Sequence, residues 1–303
     1  FAAVASSSIE NANLYKNIEA LFEGFVVASV SAIESRDLAT RGHSDRVALL
    51  TVDLAEKVSF CQDNEIKDIQ YSTMQLSKIR YAALLHDFGK IGVPEEVLNK
   101  EEKLSIFQKA AIRSRFNEFK QTAEIKTLRE VIRSCMQNNR VPTPLEMKRI
   151  EKKILDFGTN IEDMWEKILD LNRPTVLSED RSKILVDLEH IHCEDCRGNV
   201  KPLLEPEEVK NLSIFKGSLS IEERRSIEQH VTFTYEFLKR IPWTQDLGHV
   251  PDIAYGHHEM LNGSGYPRGI SADQIPSQTR IMTICDIFDA LVANDRPYKP
   301  ALP

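Results

Sequence analysis

Leu84-Leu-His86-Asp87-Phe-Gly-Lys90-Ile-Gly-Val-Pro94 is the stretch from which the rest of the chain is best read. The apolar residues before it predict a helix from about Gln75 to Asp87. Gly89 is a fitting terminator for that helix, and Pro94 cannot continue it. An adjacent imidazole and carboxylate therefore stand at a helix end. Lys90 follows His86 by four residues, just past that end, where its ammonium could orient a hydroxide or contact a phosphate.

Outward from this point the pattern stays helical. Upstream, Leu14, Ile18, Leu21, Phe22, Phe25, Val26, Val30 and Ile33 recur in steps of three and four, which fits one face of a long helix. Val47, Leu50, Val52, Leu54 and Ala55 belong to another. Thr143-Pro-Leu-Glu146 reads as a capping box with proline at the first helical position. Ser220-Ile-Glu-Glu223 reads as a second box, opening a helix through His230 to Lys239. Ser277 is a candidate cap for a last helix carrying Asp286 and Asp289. Outside the stretch near Ile184–Leu204 no alternating strand pattern stands out, so the expected fold is all-α.

The histidines supply the chemistry. His43, the pair His86-Asp87, His230, the pair His257-His258 and Asp286 form a series spread over several of these helices. Five imidazoles with two carboxylates suit two nearby octahedral sites, and this nitrogen–oxygen mixture favours iron or manganese over a thiolate-rich zinc site. Asp87 has two oxygens and is the candidate bridge. Two divalent ions at bridging distance would lower the pKa of a shared water and absorb charge on a phosphoryl group, the needs of phosphodiester hydrolysis. Taken singly, each histidine is as well explained by packing or exposure. The adjacency of His86 to Asp87 and of His257 to His258 weighs the other way. His249, in a Gly-His-Val-Pro turn, reads as a loop residue.

Composition sets outer limits. The 303 residues are 42% hydrophobic, 7% aromatic and 28% charged, a profile for one large or two modest helix-rich domains. A net charge of −7 gives no general attraction for long nucleic acid, so a phosphate ligand needs metals or a few placed cations. No apolar run approaches the roughly 18 residues of a spanning helix, so no membrane insertion is expected in this segment. Five cysteines without a visible signal peptide are expected to be reduced thiols in a cytoplasmic protein. A start at Phe1 and an end at Pro300-Ala-Leu-Pro303 lead us to expect a piece of a longer protein.

Five segments together resemble the HD-GYP subgroup of the HD phosphohydrolase superfamily. They are Arg36-Asp-Leu-Ala-Thr-Arg-Gly-His43-Ser-Asp-Arg-Val47, the opening stretch 84–94, Glu228-Gln-His-Val231, His257-His-Glu-Met-Leu-Asn-Gly-Ser-Gly-Tyr-Pro267, and Cys285-Asp-Ile-Phe-Asp-Ala-Leu291 with Asp295-Arg-Pro-Tyr-Lys299. The resemblance covers about 25–104 and 213–303. It implies five core helices with extra ones, and hydrolysis of the bacterial second messenger cyclic di-GMP to linear pGpG, with the further step to GMP left open. It implies His43, His86, Asp87 and Asp286 as ligands of a first metal, and Asp87, His230, His257 and His258 as ligands of a second. The family's lysine falls on Lys90. Gly265, Tyr266 and Pro267 would shape the substrate mouth, and Arg296 and Lys299 would contact phosphate. The plain alternatives are an ordinary tight turn at Gly263 and Gly265 and a solvated surface pair at Arg296 and Lys299. A signalling module that binds a cyclic dinucleotide with little turnover, or a hydrolase of another cyclic nucleotide, remains open.

Three features depart from the family pattern. Some members hold a third metal through a glutamate four residues before the first histidine; Ala39 stands there, so two metals are expected, with nothing in the spacing to recommend Glu34 or Asp37 as substitutes. Residues 105–212 form a helical insertion, with Ile150, Ile154, Leu155, Ile161, Met164, Trp165, Ile168 and Leu169 as a core stripe. It ends in His190-Ile-His192-Cys193-Glu-Asp-Cys196, a zinc knuckle or, more simply, a turn with two thiols. Finally, residues 1–24 resemble the closing helix of a GAF sensor domain. On that reading a sensor lies upstream and the first long helix is a connector that pairs in a homodimer; the alternative is a simple packing helix.

Overall fold

The computed structural model describes residues 2–37, 41–63 and 66–293. Ala39, Arg296 and Lys299 lie outside the described residues. Among those described there are eleven α-helices and one two-stranded sheet, in keeping with the all-α expectation. The chain divides into two compact units, Phe1–Asn99 with Glu222–Pro303, and Lys100–Ile221.

In the first unit, α1 (Ala2–Glu34) is followed by α2 (His43–Ser59) and α3 (Thr73–Leu85). A capping box between Ser72 and Gln75 starts α3 two residues earlier than its apolar pattern suggested. A 3₁₀ turn, Phe88–Gly92, and the short α4 (Glu95–Leu98) follow. The unit resumes with α9 (Ile221–Leu238), α10 (Val250–Tyr255) and α11 (Ser277–Val292). α3 is the central helix: Ile79, Ala82, Ala83, Leu84 and Leu85 are buried, and it packs against α1, α2, α10 and α11. Val26 and Val30 of α1, Val47, Ala48 and Ala55 of α2, and Ile281 and Met282 of α11 complete this core.

One expectation, the cap at Ser277, is corrected here. Along α1 burial is uneven: Val26, Val30 and Ile33 are buried, whereas Leu14, Ile18, Leu21 and Phe25 are 54–76% exposed. Ser277 does not cap α11. It is the first helical residue after Pro276, and its hydroxyl meets the Tyr71 hydroxyl at 2.7 Å.

The second unit is built on a long helical hairpin, α5 (Ile106–Gln137) and α6 (Pro144–Asn172). The Thr143–Glu146 capping box is formed. Ile112, Phe116 and Phe119 of α5 pack with Ile161, Ile168 and Leu171 of α6. Met164 and Trp165 lie against this cluster, while Leu155 is exposed. α7 (Glu179–Glu189) and α8 (Pro206–Leu212) flank an antiparallel hairpin of β1 (His192–Glu194) and β2 (Val200–Pro202). The Cys-x-x-Cys segment runs from β1, which holds Cys193, into the turn of that hairpin, which holds Cys196. The Asp195 carboxylate organises it, accepting from the backbone N–H of Arg197 at 2.9 Å and of Asn199 at 2.8 Å. Among the described residues, the groups suited to a metal ion do not include these cysteines or His190 and His192.

Candidate metal centre

The helices of the first unit place their polar ends around one point. His43 opens α2, His86 and Asp87 follow the last turn of α3, His230 lies in the middle of α9, His257 and His258 follow α10, and Asp286 lies inside α11. His43, His86, His230 and His257 are at most 2% exposed, and Asp87 and Asp286 at most 9%. Such burial of polar groups is costly unless each has a partner.

Nitrogen orientation decides what the cluster can do. Nδ1 of His86 donates to the Ala83 carbonyl at 2.7 Å, Nδ1 of His230 to Ile227 at 2.6 Å, and Nδ1 of His257 to Ala254 at 2.7 Å. Each acceptor is the backbone carbonyl three residues earlier. A carbonyl can only accept, so Nδ1 carries a proton, and in the neutral ring Nε2 presents a lone pair. His43 follows the same rule with a carboxylate: its Nδ1 lies 2.7 Å from Oδ2 of Asp289.

These Nε2 atoms converge. His43 Nε2 is 3.0 Å from Asp286 Oδ1. Asp87 faces both ways, with Oδ2 3.4 Å from His86 Nε2 and Oδ1 3.3 Å from His230 Nε2. His230 and His257 bring their Nε2 atoms to 3.4 Å. Two sets of donor atoms each lie within 4.8 Å of one another: His43 with His86 and Asp87, and His230 with His257 and His258. Asp286 joins the first set through His43 and lies 3.8 Å from His86 Nε2.

Among the described residues, Nε2 of His86 is the buried side-chain nitrogen with no hydrogen-bond partner. A buried ring nitrogen without a hydrogen-bond partner, ringed by imidazoles and carboxylates, is a place that a cation would fill, so the donor set fits divalent metal ions. Electrostatics agree. Burial, and then its imidazole neighbours, pushes His257 well below the usual histidine range; burial and His230 bring His258 down to about 4. Burial pulls on His86 too, but Asp87 and then Asp286 outweigh it and lift that pKa to about 9. Burial opposes ionisation of Asp87, yet Lys90 and His86 hold its carboxyl well below the ordinary value.

Lys90 Nζ sits 2.9 Å from Asp87 Oδ2 and 2.8 Å from Asp37 Oδ2. The two acids near the first histidine are both committed: Asp37 to Lys90, and Glu34 to the start of α2, where it accepts from Gly42 N at 2.7 Å and Ser44 N at 3.0 Å. Gly265 packs so tightly that an added Cβ would stand 2.3 Å from Met260 N and 2.5 Å from the His258 carbonyl. This seats Tyr266 with its ring centroid 4.8 Å from that of His258, at the rim of the cluster, and leaves Pro267 exposed.

Sequence reasoning passed over two supporting acids. Asp289, one turn after Asp286, orients His43. Glu259, directly after the histidine pair, is 3% exposed and accepts from Arg268 N at 2.7 Å and Ile270 N at 3.0 Å, fixing the loop that carries Tyr266.

Comparison with known proteins places this arrangement. HD-domain profiles match residues 40–157 and 203–303, and the chain belongs to the HD-domain family. Its paired-histidine and Gly-Tyr-Pro segments are those that resemble the HD-GYP type. It is 42% identical over 87 residues to 3'3'-cGAMP-specific phosphodiesterase 3 of Vibrio cholerae, covering 29% of this chain and 18% of that protein. It is 43% identical over 89 residues to a cyclic di-GMP phosphodiesterase of Thermotoga maritima, covering 29% and 23%. With the cyclic di-GMP phosphodiesterase response regulator RpfG of Xanthomonas campestris it shares 38% over 89 residues, covering 28% and 22%. The matched region spans less than a quarter of each of these relatives.

Proposed function

We propose that this chain is a metal-dependent phosphodiesterase that opens cyclic di-GMP to linear pGpG. The observation that carries this reading is the unpartnered Nε2 of buried His86 between two sets of donors joined by Asp87. His43, His86, Asp87 and Asp286 would hold one ion, and Asp87, His230, His257 and His258 the other, with iron or manganese best matched to these ligands. Bound there, the ions would supply a water acidic enough to be hydroxide at neutral pH and a positive field for the phosphoryl oxygens.

The chain's own groups do the rest. The Nδ1 bonds hold four imidazoles in the ligating tautomer before anything binds. Lys90 offers an ammonium to a phosphate oxygen in a chain whose net charge of −7 offers no general attraction. His258 and Tyr266 form an aromatic edge beside the cluster for a base or ribose. Gly265 and Pro267 shape that edge, and Arg296 and Lys299 are proposed phosphate contacts. The exposed residues Leu14, Ile18, Leu21 and Phe25 follow the 4-3-4 spacing of a coiled-coil seam, which supports a homodimer through α1 beneath an upstream sensor domain, in the cytoplasm. No helix among the described residues is long and apolar enough to cross a membrane.

A second substrate has a specific observation in its favour: relatives named for 3'3'-cGAMP and for cyclic di-GMP match at nearly equal identity. Protein loaded anaerobically with Fe²⁺, or with Mn²⁺, should release linear dinucleotide from cyclic di-GMP. Turnover of 3'3'-cGAMP alone would reassign the substrate, and metal content near two per chain without turnover of either would leave a binding module.

A further inference from the structure

The position of Lys90 raises a question that the metal reading sharpens. Its ammonium is shared between two carboxylates, Asp87 at 2.9 Å and Asp37 at 2.8 Å. Asp87 is a poor permanent counter-ion, because its oxygens already face His86 at 3.4 Å and His230 at 3.3 Å, toward the two proposed ions. With both oxygens holding cations, Asp87 would no longer neutralise Lys90 fully, and cations held there would repel the ammonium in a poorly screened interior. An untethered lysine would swing outward, since its long stem allows it.

Asp37 is placed to prevent this. It is 4% exposed, and it faces none of the clustered imidazoles in the contacts above. Its loop is fixed to the stretch that carries Lys90: Arg36 Nη1 donates to the Ile91 carbonyl at 2.9 Å, and Asn99 Nδ2 donates to the Arg36 carbonyl at 3.0 Å. The carboxylate is therefore pre-positioned rather than recruited.

We propose that Asp37 is a positioning residue: it holds the Lys90 ammonium beside the metal cluster, where the phosphate of the substrate is received. The inference rests on the phosphodiesterase reading for its catalytic consequence, but not for the tether itself. The effect proposed for Asp37 runs through Lys90, and that gives a sharp test.

The 303-residue chain loaded with Mn²⁺ is assayed on cyclic di-GMP as wild type, Asp37→Asn, Lys90→Ala and the double variant. Asp37→Asn should lower kcat/KM by about ten- to a hundredfold, the range of a lost charge-assisted hydrogen bond. Asp37→Glu should recover part of that. In the Lys90→Ala background, Asp37→Asn should cost less than about twofold, because coupled residues are not additive. Equal costs in both backgrounds would overturn the proposal. A second measurement does not depend on turnover. Brief acetylation with acetic anhydride, read by mass spectrometry, should spare Lys90 in the wild type and modify it in Asp37→Asn, with helical content unchanged by circular dichroism. If wild type hydrolyses no cyclic dinucleotide, the functional reading fails while the labelling still decides the tether; equal labelling in the two proteins would refute it.

Discussion

Oδ2 of Asp289 lies 2.7 Å from Nδ1 of His43, a residue 246 positions away. The same carboxylate takes Nε of Arg46 at 2.8 Å and Nη2 at 3.0 Å. Burial works against the charge on Asp289, but Arg46 and His43 hold its pKa down, so it remains an acceptor. It thereby fixes the proton on Nδ1 and turns Nε2 toward Asp286.

Replacing Asp289 by Asn should therefore weaken metal retention without removing a proposed ligand. The amide can present its NH₂ to His43 and favour the wrong tautomer. Loss of such a supporting partner costs about 10- to 100-fold in metal affinity. Elemental analysis after dialysis against a graded chelator would show the drop, and an unchanged metal content would refute the orienting role.

Metal binding should also be proton-linked through His86. In the metal-free protein its pKa stands at about 9, so at pH 8 its Nε2 holds a proton that must leave before the nitrogen can ligate. His258, brought down to about 4, is already neutral there. The sign follows: affinity should rise with pH up to about 9, and the contribution from His86 should then flatten. Titration calorimetry at pH 8 in buffers of different ionisation enthalpy should report proton release. No release would mean that His86 does not ligate.

Much of this centre was legible in the sequence because adjacency survives without a fold: His86-Asp87 and His257-His258 mark themselves. The supporting groups were not legible, for a physical reason. Asp289 looks like any helical acid until α11 packs on α2. Glu34 looks like a surface residue of α1 until it caps α2, and Asp37 like a loop acid until Lys90 reaches it. Ser277 illustrates the opposite error. A local capping signal was present, but Pro276 took the cap position and the hydroxyl turned to Tyr71. The β1–β2 hairpin falls inside the one stretch, near Ile184–Leu204, that the sequence set apart, but strands of three residues are too short to mark their bounds by alternation.

Gly89 should be among the least replaceable residues in the chain. A Cβ there would stand 1.9 Å from the His230 carbonyl and 2.4 Å from Thr234 N, both backbone atoms of α9. Thr234 also clasps this turn, accepting from Gly89 N at 2.8 Å and donating to the His86 carbonyl at 2.9 Å. Gly89→Ala must push α9, and His230 with it, away from Asp87, at a cost of about 1–3 kcal/mol or more. Gly24 in α1 is the control, with nothing within 4 Å of its added Cβ. Gly24→Ala should stabilise by about 0.5–1 kcal/mol. Thermal melts of the two variants should move in opposite directions, and a neutral Gly89→Ala would contradict the packing.

Glu259 offers a test of the loop independent of the proposed ligands. With its side chain fully buried and both oxygens taken by backbone N–H groups, Glu259→Gln replaces one acceptor by a donor facing a donor. The expected result is a higher KM with metal content unchanged, because Tyr266 is displaced while the imidazoles stay in place. Loss of metal in this variant would show instead that the loop and the ligand set are one unit.

The second unit carries a charge whose cost can be read from pH alone. Lys103 has no exposed surface, and its ammonium donates to the Leu212 carbonyl at 3.1 Å, at the end of α8. A helix C-terminus favours a cation, but one carbonyl replaces little of the lost hydration. Burial lowers this pKa from 10.5 to about 8. Between those values the unfolded chain holds the proton and the folded chain does not, so this residue's contribution to stability rises with pH from about 8 to 10.5. Below pH 8 the folded state bears the full penalty of a buried ammonium. Lys103→Met keeps the stem and removes the charge. Its unfolding midpoint relative to wild type should be most favourable near pH 7 and fall steadily toward pH 10.5, as the wild-type lysine sheds its proton. A difference between the two proteins that stayed constant across that window would mean the buried ammonium is solvated in a way its contacts do not reveal.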